Sequence, residues 1–254
     1  MKGKKGYIVG VSIIILVFGI WVIKNFKYRY DNNQILTPDK LTGLKDAPKK
    51  EKKAKKEEIH EVEHIIINDE KAKAPDFKFI DQNKDTITNK NYQGKVYLVE
   101  FFYTTCPTIC PIMNDNLLEI SKEFKDRDDF GIASFSIDTE NDTPEVLKEY
   151  AERHKITNPH WHLMTGKQTD IFNLAFEGFK LVAQEDEEEP GGIMHDGLFV
   201  LVDQEGYIRS RRDEHGNPLI YYRGHIERNA ISEIGQEEPQ INELIEDIDY
   251  LLNH

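Results

Sequence analysis

A chain of 254 residues with a formal charge of −13 and 39% hydrophobic residues can build one well-cored domain with appendages, and is short for two independent domains. The acidic balance argues against a nucleic-acid partner, which asks for a basic face. Two cysteines exclude a disulfide framework and leave a single functional pair.

Residues 7–23 form an uncharged apolar run flanked by Lys2, Lys4, Lys5 and Lys24, at the short end of what spans a membrane. Trp21, Asn25, Phe26 and Tyr28 supply no small-residue cleavage site, so an uncleaved transmembrane anchor is expected rather than a signal peptide. Residues 1–6 are placed in the cytoplasm, because the cysteine chemistry described below suits the other side. Residues 24–74 read as a charged flexible linker around the mixed-charge run at 49–58. His60 and His64 share a helical spacing there, but solvated linker histidines are the plainer reading, and residues 61–67 can add a strand at the domain edge.

The folded domain is predicted over residues 75–254. Phe77 to Ile80 and Thr86 to Thr88 read as short strands around a polar turn. Val96 to Phe102 is a nearly unbroken apolar run, expected as a strand buried on both faces. Met113, Leu117, Ile120 and Phe124 then repeat at helical spacing, and Pro111 supports a helix start there; if the helix begins near Cys106, both sulfurs lie on one face about one turn apart. Gly131 to Ile137 is a second buried strand, and Thr143-Pro144 caps and starts a second helix. A strand at 160–164, a short helix around Ile171 to Ala175 and a strand at 179–182 follow. The acidic stretch 184–192 ends in Gly191-Gly192 and reads as a hinged loop delivering His195 to the strand 198–202. A further strand is expected at 219–223, and Ile241, Leu244, Ile245, Ile248, Leu251 and Leu252 mark a docked terminal helix. Strands alternating with helices predict an α/β domain of thioredoxin type, a central sheet flanked by helices.

The pair Cys106 and Cys110 lies where a buried strand hands over to a helix. A cysteine there meets the positive end of the helix dipole and unpaired N–H groups, both of which favour thiolate. Thiolate is the nucleophile of disulfide exchange and also the form that holds a metal, so two chemistries stand open. Two cysteines cannot close a tetrahedral structural zinc site, and no further Cys/His pair completes one, whereas copper accepts two or three soft donors. Among nine histidines, His195 is the best placed third donor; a hydrogen-bonded loop histidine is the alternative. His154, His160 and His162 have weaker claims.

The motif Cys106-Pro107-Thr108-Ile109-Cys110-Pro111, preceded by Phe102-Tyr103-Thr104-Thr105, resembles the signature of the Sco/SenC family of cytochrome c oxidase assembly factors. Pro75-Asp76-Phe77 with Asp81-Gln82-Asn83, Ser136-Ile137-Asp138 with Asp142-Thr143-Pro144, the Trp161 to Gly166 block, and His195 ahead of Asp203-Gln204-Glu205-Gly206 extend the likeness over residues 75–254. It implies a thioredoxin-like domain binding one copper ion per chain through Cys106, Cys110 and His195. It further implies a membrane-anchored chaperone, with its domain outside the cytoplasm. That chaperone delivers copper to the binuclear site of cytochrome c oxidase subunit II, or to another copper-accepting protein, or keeps that site's thiols reduced. The alternative is an extracytoplasmic thiol-disulfide oxidoreductase in which Cys106 and Cys110 are the redox-active pair; the C-x-x-x-C spacing suits ligation better than rapid exchange. Two departures stand out: Thr108 replaces a frequent aspartate, and residues 209–228 exceed the family's usual turn. Asp138 is read either as a turn cap or as a support behind the ligands.

Overall fold

A computed structural model of the chain describes Phe18, Val22, Lys24 and Lys27 and residues 62–186, 188–212, 219–232 and 236–254. The chain divides into two units, Met1–Glu58 and Ile59–His254. The predicted anchor, apart from Phe18 and Val22, and most of the predicted linker lie outside the described residues. Among those described, no helix is long and apolar enough to cross a membrane.

The second unit opens with three two-residue strands, β1 (Glu63–His64), β2 (Ile66–Ile67) and β3 (Glu70–Lys71). Asn68 and Asp69 turn β2 into β3 with φ of 53° and 65°, the left-handed pair that a tight hairpin requires. β4 (Lys78–Asp81) and β5 (Thr86–Thr88) form the next hairpin, and β6 (Val96–Phe102) follows. Then come α1 (Cys110–Glu123), β7 (Phe130–Ser136), α2 (Pro144–His154) and β8 (Trp161–Thr165). Next is α3 (Gln168–Asn173), extended by a π-helical turn at Leu174–Phe179. The chain closes with β9 (Ala183–Glu185), β10 (Ile193–His195), β11 (Leu198–Val202), β12 (Ile208–Ser210), β13 (Tyr222–Arg223) and α4 (Ile241–Asn253).

Among the described residues the main sheet runs β1-β12-β11-β6-β7-β8-β4-β5, with β13 also paired to β11. β6, β7 and β8 are parallel and joined through α1 and α2, while β11 and β4 add antiparallel strands on either side. All seven residues of β6 are buried, as its apolar run demands. One face meets α2, where Phe102 lies 5.7 Å from Tyr150; the other meets Tyr92, 4.6 Å from Tyr97, and Phe179, 6.0 Å from Phe101. Thr143 caps α2 through its hydroxyl, which accepts from the Val146 N–H, and Pro144 begins the helix, as the sequence predicts. The predicted terminal helix is α4, which buries Ile241, Leu244, Ile248, Leu251 and Leu252, each such side chain contributing about 1.5–3 kcal/mol. Asp247, fully buried on the same helix, takes two bonds from Arg211 and one from the Tyr222 hydroxyl, which ties α4 to the sheet.

β1 pairs with β12 through Glu63↔Ser210 and His64↔Arg209, the edge strand expected within residues 61–67. Three elements differ from expectation. Phe179 to Val182 is not a strand: the α3 helix continues to Phe179 and ends at Lys180 with φ of 58°, where the Leu181 N–H bonds to the Ala175 carbonyl. Phe179 is buried as a helix-end residue capping the sheet, and strand pairing starts only at Ala183. Within the stretch 184–192, Gln184 and Glu185 pair in β9, and residues 188–192 form the glycine-containing loop of a β-hairpin. In the predicted strand 219–223, only Tyr222–Arg223 pairs with the sheet.

Candidate metal and thiol site

β6 ends at Phe102 and α1 begins at Cys110, so Pro111 lies in the first turn as the sequence suggests, and Cys106 sits in the connecting turn rather than on the helix. A helix starting near Cys106 would put Pro111 in its interior, where the missing N–H and the ring break the hydrogen-bond ladder; a start at Cys110 leaves Pro111 in the first turn. Asp142 anchors this connection from below. Its buried carboxylate accepts from the Thr104 N–H at 2.9 Å, from the Thr104 hydroxyl, and from the Ser136 hydroxyl at 2.6 Å. Three donors on one carboxylate fix the backbone two residues before Cys106.

His195 arrives from β10, whose residues pair with β9 in the register Ile193↔Glu185 and His195↔Ala183. Gly191 and Gly192 have φ of 99° and 79° and form the tip, a conformation that costs other residues strain. The hairpin brings the imidazole onto the cysteines: Nε2 is 3.3 Å from Cys110 Sγ and 4.0 Å from Cys106 Sγ. The three donor atoms all lie within 4.8 Å of one another, and the residues are buried at 7%, 3% and 9% exposure for Cys106, Cys110 and His195. Neither cysteine is in a disulfide. The threefold grouping is the one that can hold a metal among the described residues.

Electrostatically the two sulfurs are unequal. The hydrogen bond from the Cys110 thiol pulls the Cys106 thiol well below its ordinary range, helped by His195 and the backbone N–H groups of Cys110 and Thr108, against the opposing effect of burial. Cys110, the donor of that bond and the more deeply buried sulfur, is pushed well up. Both directions favour thiolate at Cys106 and thiol at Cys110. The Thr108 hydroxyl lies 3.6 Å from Cys106 Sγ. On the histidine, Nε2 faces the sulfurs while Nδ1 is buried with no partner among the described residues. A soft, buried S₂N donor set in this arrangement fits one soft metal ion better than a hard one.

The other predicted candidates lie elsewhere. His162 pairs with Asp81 at 2.9 Å, His154 bonds to Asn114 at 3.0 Å, and His64 packs edge-on against Tyr207. His160 is absent from the metal-capable grouping, and His60 lies outside the described residues. Asp138 accepts two bonds from the Asn141 amide, which makes it a turn cap. Sequence reasoning missed Asp142, whose place before Thr143-Pro144 reads as an ordinary turn. It also missed Glu100, concealed in the apolar run of β6; this carboxyl is buried, accepts from the Ser134 hydroxyl at 2.6 Å, and is raised to about 7, chiefly by burial.

Residues 67–224, which contain both cysteines and His195, match the SCO1/SenC family. The chain belongs to the SCO1/SenC family. Its relatives include the SCO1 protein homolog of Bacillus subtilis, 33% identical over 134 residues, which span 52% of this chain and 69% of that protein. Among solved structures, BsSco, described as a member of the Sco family of cytochrome c oxidase assembly proteins with a disulfide switch, superimposes with a TM-score of 0.56 at 26% identity, covering 72% of this chain and 94% of that one. ScoI of Bradyrhizobium japonicum, solved with copper bound, gives a TM-score of 0.52 at 23% identity over 71% of this chain and 99% of that one, a likeness of fold. The mixed α/β domain with a central sheet is thus the one found in Sco structures, as the sequence predicts.

Proposed function

We propose that this chain is a copper chaperone, anchored by residues 7–23 with its domain outside the cytoplasm, that holds one copper ion through Cys106, Cys110 and His195. The observation that carries the reading is the convergence of two sulfurs and one imidazole nitrogen within 4.8 Å, on three buried residues. Cys106 enters as thiolate, Cys110 gives up its proton on binding, and His195 donates through Nε2 while Nδ1 keeps its proton. Copper-bound ScoI and the Sco proteins of oxidase assembly support this assignment. The recipient is then the binuclear copper site of cytochrome c oxidase subunit II, or another copper-accepting protein, reached by ligand exchange at the pocket mouth. Reduced protein should hold close to one copper per chain. His195→Ala should weaken retention against a competing chelator by more than about tenfold, the lower end of what losing even an outer partner of a ligand costs, while disulfide formation persists. Unchanged retention in that variant refutes the ligand assignment.

A second reading, an extracytoplasmic thiol-disulfide oxidoreductase, draws on the unequal sulfurs and on the disulfide switch of BsSco. A strongly stabilised thiolate is a weak nucleophile, which favours ligation over rapid exchange. Turnover of a disulfide substrate by metal-free protein, retained in the His195 variant, would establish the enzyme; no turnover removes it.

A further inference from the structure

The hairpin that carries His195 is too short to hold itself closed. β9 and β10 contribute three residues each, and an isolated two-stranded hairpin is marginal even when longer. Its base is tied down by Asp196, whose N–H bonds to the Val182 carbonyl at 3.1 Å and whose carboxylate accepts from the Val182 N–H at 2.8 Å. Its tip, which carries exposed Glu188 and Glu189, needs a separate restraint.

That restraint comes from Tyr103, three residues before Cys106. The side chain is buried at 1% exposure, and its hydroxyl donates to the Pro190 carbonyl at 3.2 Å, with the Ile193 carbonyl at 3.5 Å. Its ring meets the His195 imidazole edge-on, centroids 5.8 Å apart at 74°. Gly191 is packed so closely that a Cβ there would collide with the Tyr103 hydroxyl and crowd Pro107 Cδ at 3.2 Å.

We propose that Tyr103 is a positioning residue whose phenol latches the tip of the 183–195 hairpin onto the cysteine turn and thereby holds His195 Nε2 at the two sulfurs. The inference rests on the copper-site reading for its consequence, though not for the latch itself. Tyr103 thus sets how long the third donor stays in place, and its release converts a three-donor pocket into a dithiol.

The test uses Tyr103→Phe, which keeps the ring and removes the hydroxyl, with Gly191→Ala as a second route to the same opening. In metal-free, reduced protein, hydrogen exchange at the Asp186 and Gly192 amides, which close the tip by bonding to Gly192 and Glu189 carbonyls, should speed up about fivefold in Tyr103→Phe, with β6 and β7 amides unchanged. In copper competition, Tyr103→Phe should weaken retention about fivefold in the parent and leave His195→Ala protein unaltered, because the latch acts through His195. Unchanged tip exchange in both variants overturns the latch. An equal loss of copper in the His195→Ala background also overturns it, by assigning the phenol to Cys106 directly. Faster tip exchange in a protein whose parent binds no copper leaves the latch standing and refutes the copper site instead.

Discussion

Replacing Glu100 by Gln tests whether a carboxyl inside the sheet strains the fold near neutral pH. Glu100 is 4% exposed on β6 and accepts one bond, from a Ser134 hydroxyl that in turn accepts from the Trp161 indole N–H at 2.9 Å. Burial lifts its pKa from 4.5 to about 7, opposed in part by the Ser134 bond. A folded-state pKa raised above the unfolded value means that the fold binds this proton more tightly than the unfolded chain does. Stability is therefore unpenalised below about pH 4.5, falls as pH rises towards 7, and stays reduced above it. At about 1.36 kcal/mol per tenfold step, the full penalty is about 3 kcal/mol, a sizeable share of a domain stability of about 5–15 kcal/mol. Gln keeps the acceptor for Ser134 and cannot ionise. Urea unfolding of reduced, metal-free protein from about pH 4.5 to 8 should show the variant gaining on the parent, by about 1.5 M in midpoint at a slope of about 2 kcal/mol/M. Midpoints that run parallel across this range refute the assignment of a strained, ionised Glu100.

The inequality of the sulfurs predicts that iodoacetamide labels Cys106 of metal-free protein ahead of Cys110, at a rate that hardly changes between about pH 5 and 8. Peptide mapping showing equal labelling, or a Cys106 rate climbing tenfold per pH step, contradicts the inequality of the two sulfurs. Asp142→Asn turns an amide toward donors that need an acceptor, and should lower stability by about 1–3 kcal/mol while speeding exchange at the Thr104 amide. A variant with the parent's melting temperature and the parent's Thr104 protection removes Asp142 as the anchor of the cysteine turn.

Much of this architecture is legible in residue order because it rests on local periodicity. The apolar runs of β6 and β7, the Thr143-Pro144 start of α2 and the apolar stripe of α4 each carry their own signal. Cys106, Cys110 and His195 stand out by chemistry and spacing, and the structure brings them together. The hairpin escaped because its tip consists of acidic residues, proline and glycines, which read equally well as an open loop; the pairing that closes it is between strands of three residues. Phe179 to Val182 misled because apolar residues at a helix end and in a strand look alike over four positions. Glu100 and Asp142 are invisible for a different reason: a carboxylate is presumed solvated until a tertiary neighbour buries it. Tyr103 reads as one more aromatic in an apolar run, and its hydroxyl acquires a role only from Pro190, far along the chain.

The three donors come from segments brought together by the antiparallel pairing of β11 with β6, through Val200↔Val99 and Leu201↔Leu98. A chain still emerging from synthesis or export presents its cysteines well before its histidine, and has no registered strand to bring them together. Until the later strand docks, the nascent chain offers an incoming ion only a pair of thiols. The complete pocket is thus a certificate of maturation, issued when the sheet closes.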